Sequence, residues 1–77
     1  MKEIDDAIKL VLIKNKLQRY QNTYYDLRLE LETANEIEDE RARTSATNEM
    51  VKIKKAIALL ERKKEEIEKD MKDFISE

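Results

Sequence analysis

Two heptad series, in which residues alternate at spacings of three and four, run through this chain and constrain its fold more than any other feature. The first series is apolar at every position, and the second has one polar member, Lys64. This spacing is typical of helices that pack side by side as a coiled coil. The chain also lacks Gly and Pro, which disfavour helix interiors most strongly. The first series is Leu10, Ile13, Leu17, Tyr20, Tyr24, Leu27, Leu31 and Ala34, and the second is Ala46, Met50, Ile53, Ile57, Leu60, Lys64, Ile67, Met71 and Phe74.

The two series are out of phase, and the frame breaks between about Ile37 and Ala46. A break in phase between two long helical patterns indicates a turn. The sequence therefore predicts an all-α fold, an antiparallel two-helix coiled-coil hairpin that occupies residues 1–77 as a single domain. Helix 1 is expected over about residues 3–40, the turn over about 41–45, and helix 2 over about 46–75. Thr44 or Ser45 is the expected cap of the second helix.

Two registers bring the two series face to face. One is centred on position 42 and sets Ala34 opposite Met50. The other is one heptad tighter and sets Asp6 opposite Met71, so that a carboxylate packs against an apolar side chain. Burial of an unpaired charge is unfavourable. We therefore predict the looser register.

Composition argues against most site chemistry. The chain contains no His and no Cys, the ligands that transition metals prefer, and no Gly for a phosphate-binding loop. Neither serine has a His to activate it. We expect no enzyme activity, no cofactor and no metal. The longest apolar run is Leu10–Ile13, too short for a membrane span, so we expect a cytoplasmic protein.

A second set of apolar residues lies off the heptad series. Surface apolar groups in such number indicate an interaction site. A chain this short gains little stability from a single core and commonly adds disulfides, metals or partners. Association is the device left here, so we expect a homodimer packed as a four-helix bundle. The leading hypothesis is a non-enzymatic protein–protein interaction module, an adaptor, inhibitor or assembly factor. The expected interface residues are Ile4, Ile8, Val11, Leu12, Tyr25 and Leu29.

The alternative hypothesis is a hairpin dimer that binds RNA or DNA through basic residues of the second helix, namely Lys52, Lys54, Lys55 and Arg62. Clustered Lys and Arg side chains are the usual means of contacting phosphates. The net charge of −2 and the acidic residues in the same stretch argue against this hypothesis. The sequence thus favours a protein partner over a nucleic acid.

Overall fold

The computed structural model is a hairpin of two long α-helices that lie side by side. It describes residues 5–76, with side chains described for residues 5–72. Helix α1 spans Asp6–Glu36 and helix α2 spans Glu40–Ser76. The dimensions are 58 × 21 × 16 Å, so the long axis matches the length of one helix of 37 residues at about 1.5 Å per residue. The all-α hairpin is confirmed.

Each helix is preceded by an aspartate that caps its N-terminus. The Asp5 carboxylate accepts a hydrogen bond from the backbone N–H of Ala7 at 3.0 Å, and Asp6 adds negative charge to the first turn of α1. The Asp39 carboxylate accepts from the backbone N–H of Ala42, also at 3.0 Å. Both contacts satisfy backbone donors that have no partner within the helix.

The chain reverses direction through Ile37, Glu38 and Asp39. Glu38 adopts a left-handed conformation with φ of 57°. Its N–H donates to the Asn35 carbonyl at 3.3 Å, and the Asp39 N–H donates to the Ala34 carbonyl at 2.9 Å. These two bonds form a Schellman motif, which usually has Gly at the left-handed position. Here the motif forms around Glu38, so the chain turns sharply without any glycine.

The predicted turn at about residues 41–45 was therefore wrong. Helix α1 ends at Glu36 rather than near residue 40, and α2 begins at Glu40 rather than near residue 46. Thr44 and Ser45 lie inside α2 and do not cap it. The physical reason is that hydrogen bonds can be made at both helix ends within three residues. The Schellman motif around Glu38 satisfies carbonyls at the end of α1, and Asp39 caps a backbone N–H at the start of α2.

The short connection sets the tighter of the two registers. Residues equally far from the connection lie opposite each other, so Leu27 faces the region of Met50 and Ala34 faces the region of Arg43. The predicted pairing of Ala34 with Met50 is wrong, because Met50 lies seven residues, about 10 Å, further along α2. Burial agrees with the tighter register, since Ala46 is only 2% exposed although it was expected at the edge of the turn.

The charge that disfavoured this register stays in contact with water. The side chain of Asp6 remains 44% exposed, and its carboxylate lies 3.8 Å from the Lys9 ammonium. Lys64, the polar member of the second series, is likewise 33% exposed and lies 3.8 Å from the Glu68 carboxylate. Long side chains at an interface commonly keep their charged ends in solvent in this way. The tighter register therefore buries no unpaired charge at these positions.

Both heptad series face the contact between the helices. Leu17 is 8% exposed, and Ala34 and Ala46 are 2% exposed. The other members with described side chains are half-buried. Thr33 confirms that α1 continues through this region, since its hydroxyl donates to the Leu29 carbonyl at 2.9 Å. The two helices thus cover each other along one side only.

The left-handed conformation of Glu38 gives a test of the turn. We expect the Glu38→Gly variant to be more stable than the Glu38→Ala variant by about 0.5–1 kcal/mol, because only glycine avoids the Cβ penalty at positive φ. Both variants remove the same charge, so their difference isolates the backbone. Urea unfolding followed by circular dichroism measures it. If residue 38 lay inside a helix, the order would reverse, with the glycine variant about 1 kcal/mol less stable.

Candidate interaction surface

The apolar residues predicted as an interface lie on the face of α1 that points away from α2. Five of the six have described side chains, and they keep between 43% and 57% of their surface exposed. Ile4 lies outside the described residues. The five residues form two groups about 20 Å apart along the helix. The first group is Ile8, Val11 and Leu12, and the second is Tyr25 and Leu29.

A second heptad row joins the two groups. We call it the outer stripe of α1: Ile8, Val11, Asn15, Gln18, Asn22, Tyr25 and Leu29. Every member from Ile8 to Leu29 is exposed and uncharged, in a chain of which 44% is charged, and the same row continues to the end of α1 with the charged residues Glu32 and Glu36. At 3.6 residues per turn the stripe lies about 150° around α1 from the side that faces α2. Helix α1 therefore has two rows at heptad spacing, and α2 covers one of them.

Amide side chains form the middle of the outer stripe. The Gln18 side-chain amide donates to the Asn22 side-chain oxygen at 3.0 Å. The two residues are one turn apart, so this bond runs along the surface of the helix. It satisfies one donor and one acceptor within the stripe. The centre of the outer stripe is thus polar but uncharged, and part of its hydrogen bonding is already internal.

The corresponding row of α2 has a different chemistry. Val51 and Leu59 are exposed apolar residues on the side of α2 that points away from α1, at 49% and 51% exposure. The row through Val51 at heptad spacing, however, is interrupted by charges. Its charged members are Lys55, Arg62, Glu65, Lys69 and Lys72. This face of α2 suits contact with water better than contact with an apolar partner.

Three of the four basic residues that suggested a nucleic-acid site, Lys52, Lys55 and Arg62, lie within about 80° of one another around α2. Lys52 and Lys54 are two residues apart, which places them about 160° apart around a helix. Lys52 also lies 3.9 Å from the Glu49 carboxylate. Lys55 and Arg62 do share a row, with Glu65 and Lys69 next along it. The helix geometry therefore groups Lys52, Lys55 and Arg62 on one side of α2 and leaves Lys54 apart, and acidic residues accompany the group at Glu49 and Glu65.

A shallow groove lies where the turn meets the two helices. It encloses about 540 Å³, and its apolar lining comes from Leu29, Ala34, Ile37 and Ala42. Ile37 is 66% exposed. Ile37 is not among the predicted interface residues, and the predicted helix 1 continued past it to about residue 40. Its position off the heptad series was the available signal.

The described part of the chain shows no metal-binding geometry. No group of three or more His, Cys, Asp or Glu side chains within it is placed to hold a metal ion. Neither helix, over the residues described, combines the length and apolar character needed to cross a membrane.

Comparison with known proteins adds no assignment. No family model, no curated protein sequence and no solved structure matches this chain significantly. Its function has to be argued from its own residues.

Proposed function

We propose that this hairpin is a non-enzymatic protein–protein interaction module that docks through the outer face of α1. It would serve as an adaptor, an inhibitor or an assembly factor. The observation that carries the proposal is the exposure of Ile8, Val11, Leu12, Tyr25 and Leu29 on one face of a helix that is already packed on its other side. Apolar residues grouped on one face in this way mark interaction surfaces.

The small core supports the same proposal. Among the residues with described side chains, only Leu17, Ala34 and Ala46 are buried. Ordering each residue costs about 1–2 kcal/mol of backbone entropy, and domains of this size gain only about 3–5 kcal/mol from a single core. Association would bury further apolar surface and offset part of that cost. We propose on this ground that the chain works as a homodimer of four packed helices.

A matched pair of variants tests the docking face. Ile8→Asp places a charge on the outer face of α1, whereas Val51→Asp places the same charge on α2 at a residue of similar exposure. We expect affinity capture with the tagged chain, from a lysate of its natural host, to retain bound protein with the unchanged chain and with Val51→Asp. Ile8→Asp should lose it, because a desolvated charge against an apolar partner is costly.

Quantitative mass spectrometry of the captured proteins measures the difference, and an untagged copy of the chain counts as a captured protein. If all three forms of the chain retain the same proteins in the same amounts, the outer face of α1 is not the docking surface.

Nucleic-acid binding is the weaker alternative, because Lys52 is paired with Glu49 and because Glu65 shares the row of Lys55 and Arg62. We expect no binding of labelled single-stranded or double-stranded 20-mers of RNA and DNA at micromolar protein and 50 mM salt, measured by fluorescence anisotropy. Phosphate contacts are strongest at low salt, so this condition favours detection. Binding that weakens steeply with added salt, and that is lost in a Lys55→Glu, Arg62→Glu variant, would replace the protein-interaction proposal.

A further inference from the structure

We propose that the outer stripe of α1 is occupied by the same stripe of a second copy of this chain, with the two α1 helices antiparallel. This inference rests on the proposed function and assigns its docking face to a second copy of the chain, so that another protein binds there only in place of that copy. It depends on three observations: the self-complementary order of the residues along the stripe, the absence of charge from it, and the hydrogen bond within its amide centre.

The order of residues along the outer stripe suits pairing with itself. Apolar side chains lie towards its two ends and amides lie in its middle. We place two copies of α1 in opposite directions about a two-fold axis near residues 16–17. The stripe has two kinds of position, one that is followed by a step of three residues and one that is followed by a step of four. In every layer of this pairing a position of one kind faces a position of the other kind, as in antiparallel coiled coils. The layers set Ile8 against Tyr25 of the second copy, Val11 against Asn22, and Asn15 against Gln18, and each layer occurs twice.

Shifting the pairing by one heptad in either direction gives a poorer match. One shift sets Val11 opposite Leu29 of the second copy, but it also sets Ile8 opposite Glu32, and so places a carboxylate against an apolar side chain. The other shift sets Ile8 opposite Gln18 and leaves Tyr25 and Leu29 beyond the described end of the second α1. The proposed pairing keeps Tyr25 in contact with an apolar residue. Leu29 would face position 4 of the second copy, which lies outside the described residues.

The absence of charge favours α1 over α2 as the contact helix. The seven members of the outer stripe are neutral and the charges of its row, Glu32 and Glu36, lie at the turn end of α1, whereas the corresponding row of α2 carries the five charged residues named above along most of its length. Removing charges from water is costly unless they are paired. A copy that docked on the α2 row would have to pair Lys55 and Arg62 or leave them exposed. A copy that docks on the α1 stripe has no charge within the stripe to accommodate.

The amide centre gives the pairing its register. Gln18 and Asn22 already share a hydrogen bond at 3.0 Å, so part of their polar surface is satisfied before any contact forms. Asn15 would face Gln18 of the second copy, where side-chain amides can donate to each other across the two-fold axis. Amides at the core positions of coiled coils fix register and partner number at some cost in stability.

The pairing defines how the four helices are arranged. Because the outer stripe lies about 150° around α1 from α2, the two α1 helices would lie between the two α2 helices. The order across the dimer would be α2, α1, α1 and α2, as a layer rather than a square bundle. The contact would run for about 25 Å, the length of α1 from Ile8 to Tyr25.

Cysteine crosslinking tests this pairing, since the chain has no cysteine of its own. We would oxidise an equal mixture of two full-length variants that differ in tag size, Ile8→Cys and Tyr25→Cys. We expect the mixed disulfide dimer to form at least ten-fold more than either homodimer, as seen on a non-reducing gel. In the antiparallel layer the two substituted positions face each other, while two copies of position 8 lie about 25 Å apart.

A mixture of Val51→Cys and Leu59→Cys variants controls for random collision, because both positions are exposed to a similar degree on α2. Homodimers of Ile8→Cys in place of the mixed species would mean parallel helices and would overturn the proposal. So would crosslinking no greater than the control, or sedimentation of the unchanged chain as a folded monomer at micromolar concentration. If the docking function nevertheless holds, affinity capture still distinguishes Ile8→Asp from Val51→Asp, so the two proposals can fail separately.

Discussion

Two helices packed side by side can each be covered along one side only, and the rest of this structure follows from that constraint. The two heptad series meet at the contact, yet most of their members stay half-buried. Only Leu17, Ala34 and Ala46 among the described side chains are buried. On the far side of α1, apolar residues keep about half of their surface in water, from 43% at Leu29 to 57% at Tyr25. The hairpin is thus a small fold with solvent-exposed apolar surface, and most of that surface lies on α1.

Heptad spacing was sufficient to predict the helical hairpin and the faces of its two helices. Every member of the two series whose side chain is described is half-buried or buried. The same periodicity placed Ile8, Val11 and Tyr25 off the contact, and all three are exposed. These features could be predicted because the period of 3.6 residues fixes which side chains share a face of a helix.

The position of the turn could not be predicted in the same way. The predicted position of the turn depended on the break in phase, which spans about ten residues, and on capping by Thr44 or Ser45. The structure turns at Glu38 instead, in a left-handed conformation that the sequence would have signalled clearly only with Gly or Asn. Asp39 was the available signal, since aspartate is a preferred N-cap residue. Glu40, which follows it, adds a negative charge that is favourable in the first turn of a helix. Because register depends on the turn, this one error shifted every predicted pair by a heptad.

We propose that α1 lies between α2 of its own chain and α1 of a second copy. The most direct measurement is the distance between two spin labels, one on each copy, attached at an Arg62→Cys substitution and read by pulsed electron resonance. Arg62 is exposed on α2 and lies near the level of the proposed two-fold axis, so the distance mainly reports the separation of the two α2 helices. With two α1 helices between them, three spacings of about 8–10 Å each separate the two α2 axes, so we expect a single distance of at least about 24 Å. A distance below about 20 Å would place the α2 helices side by side and would contradict the arrangement with two α1 helices at the centre. The absence of any dipolar signal would contradict it as well.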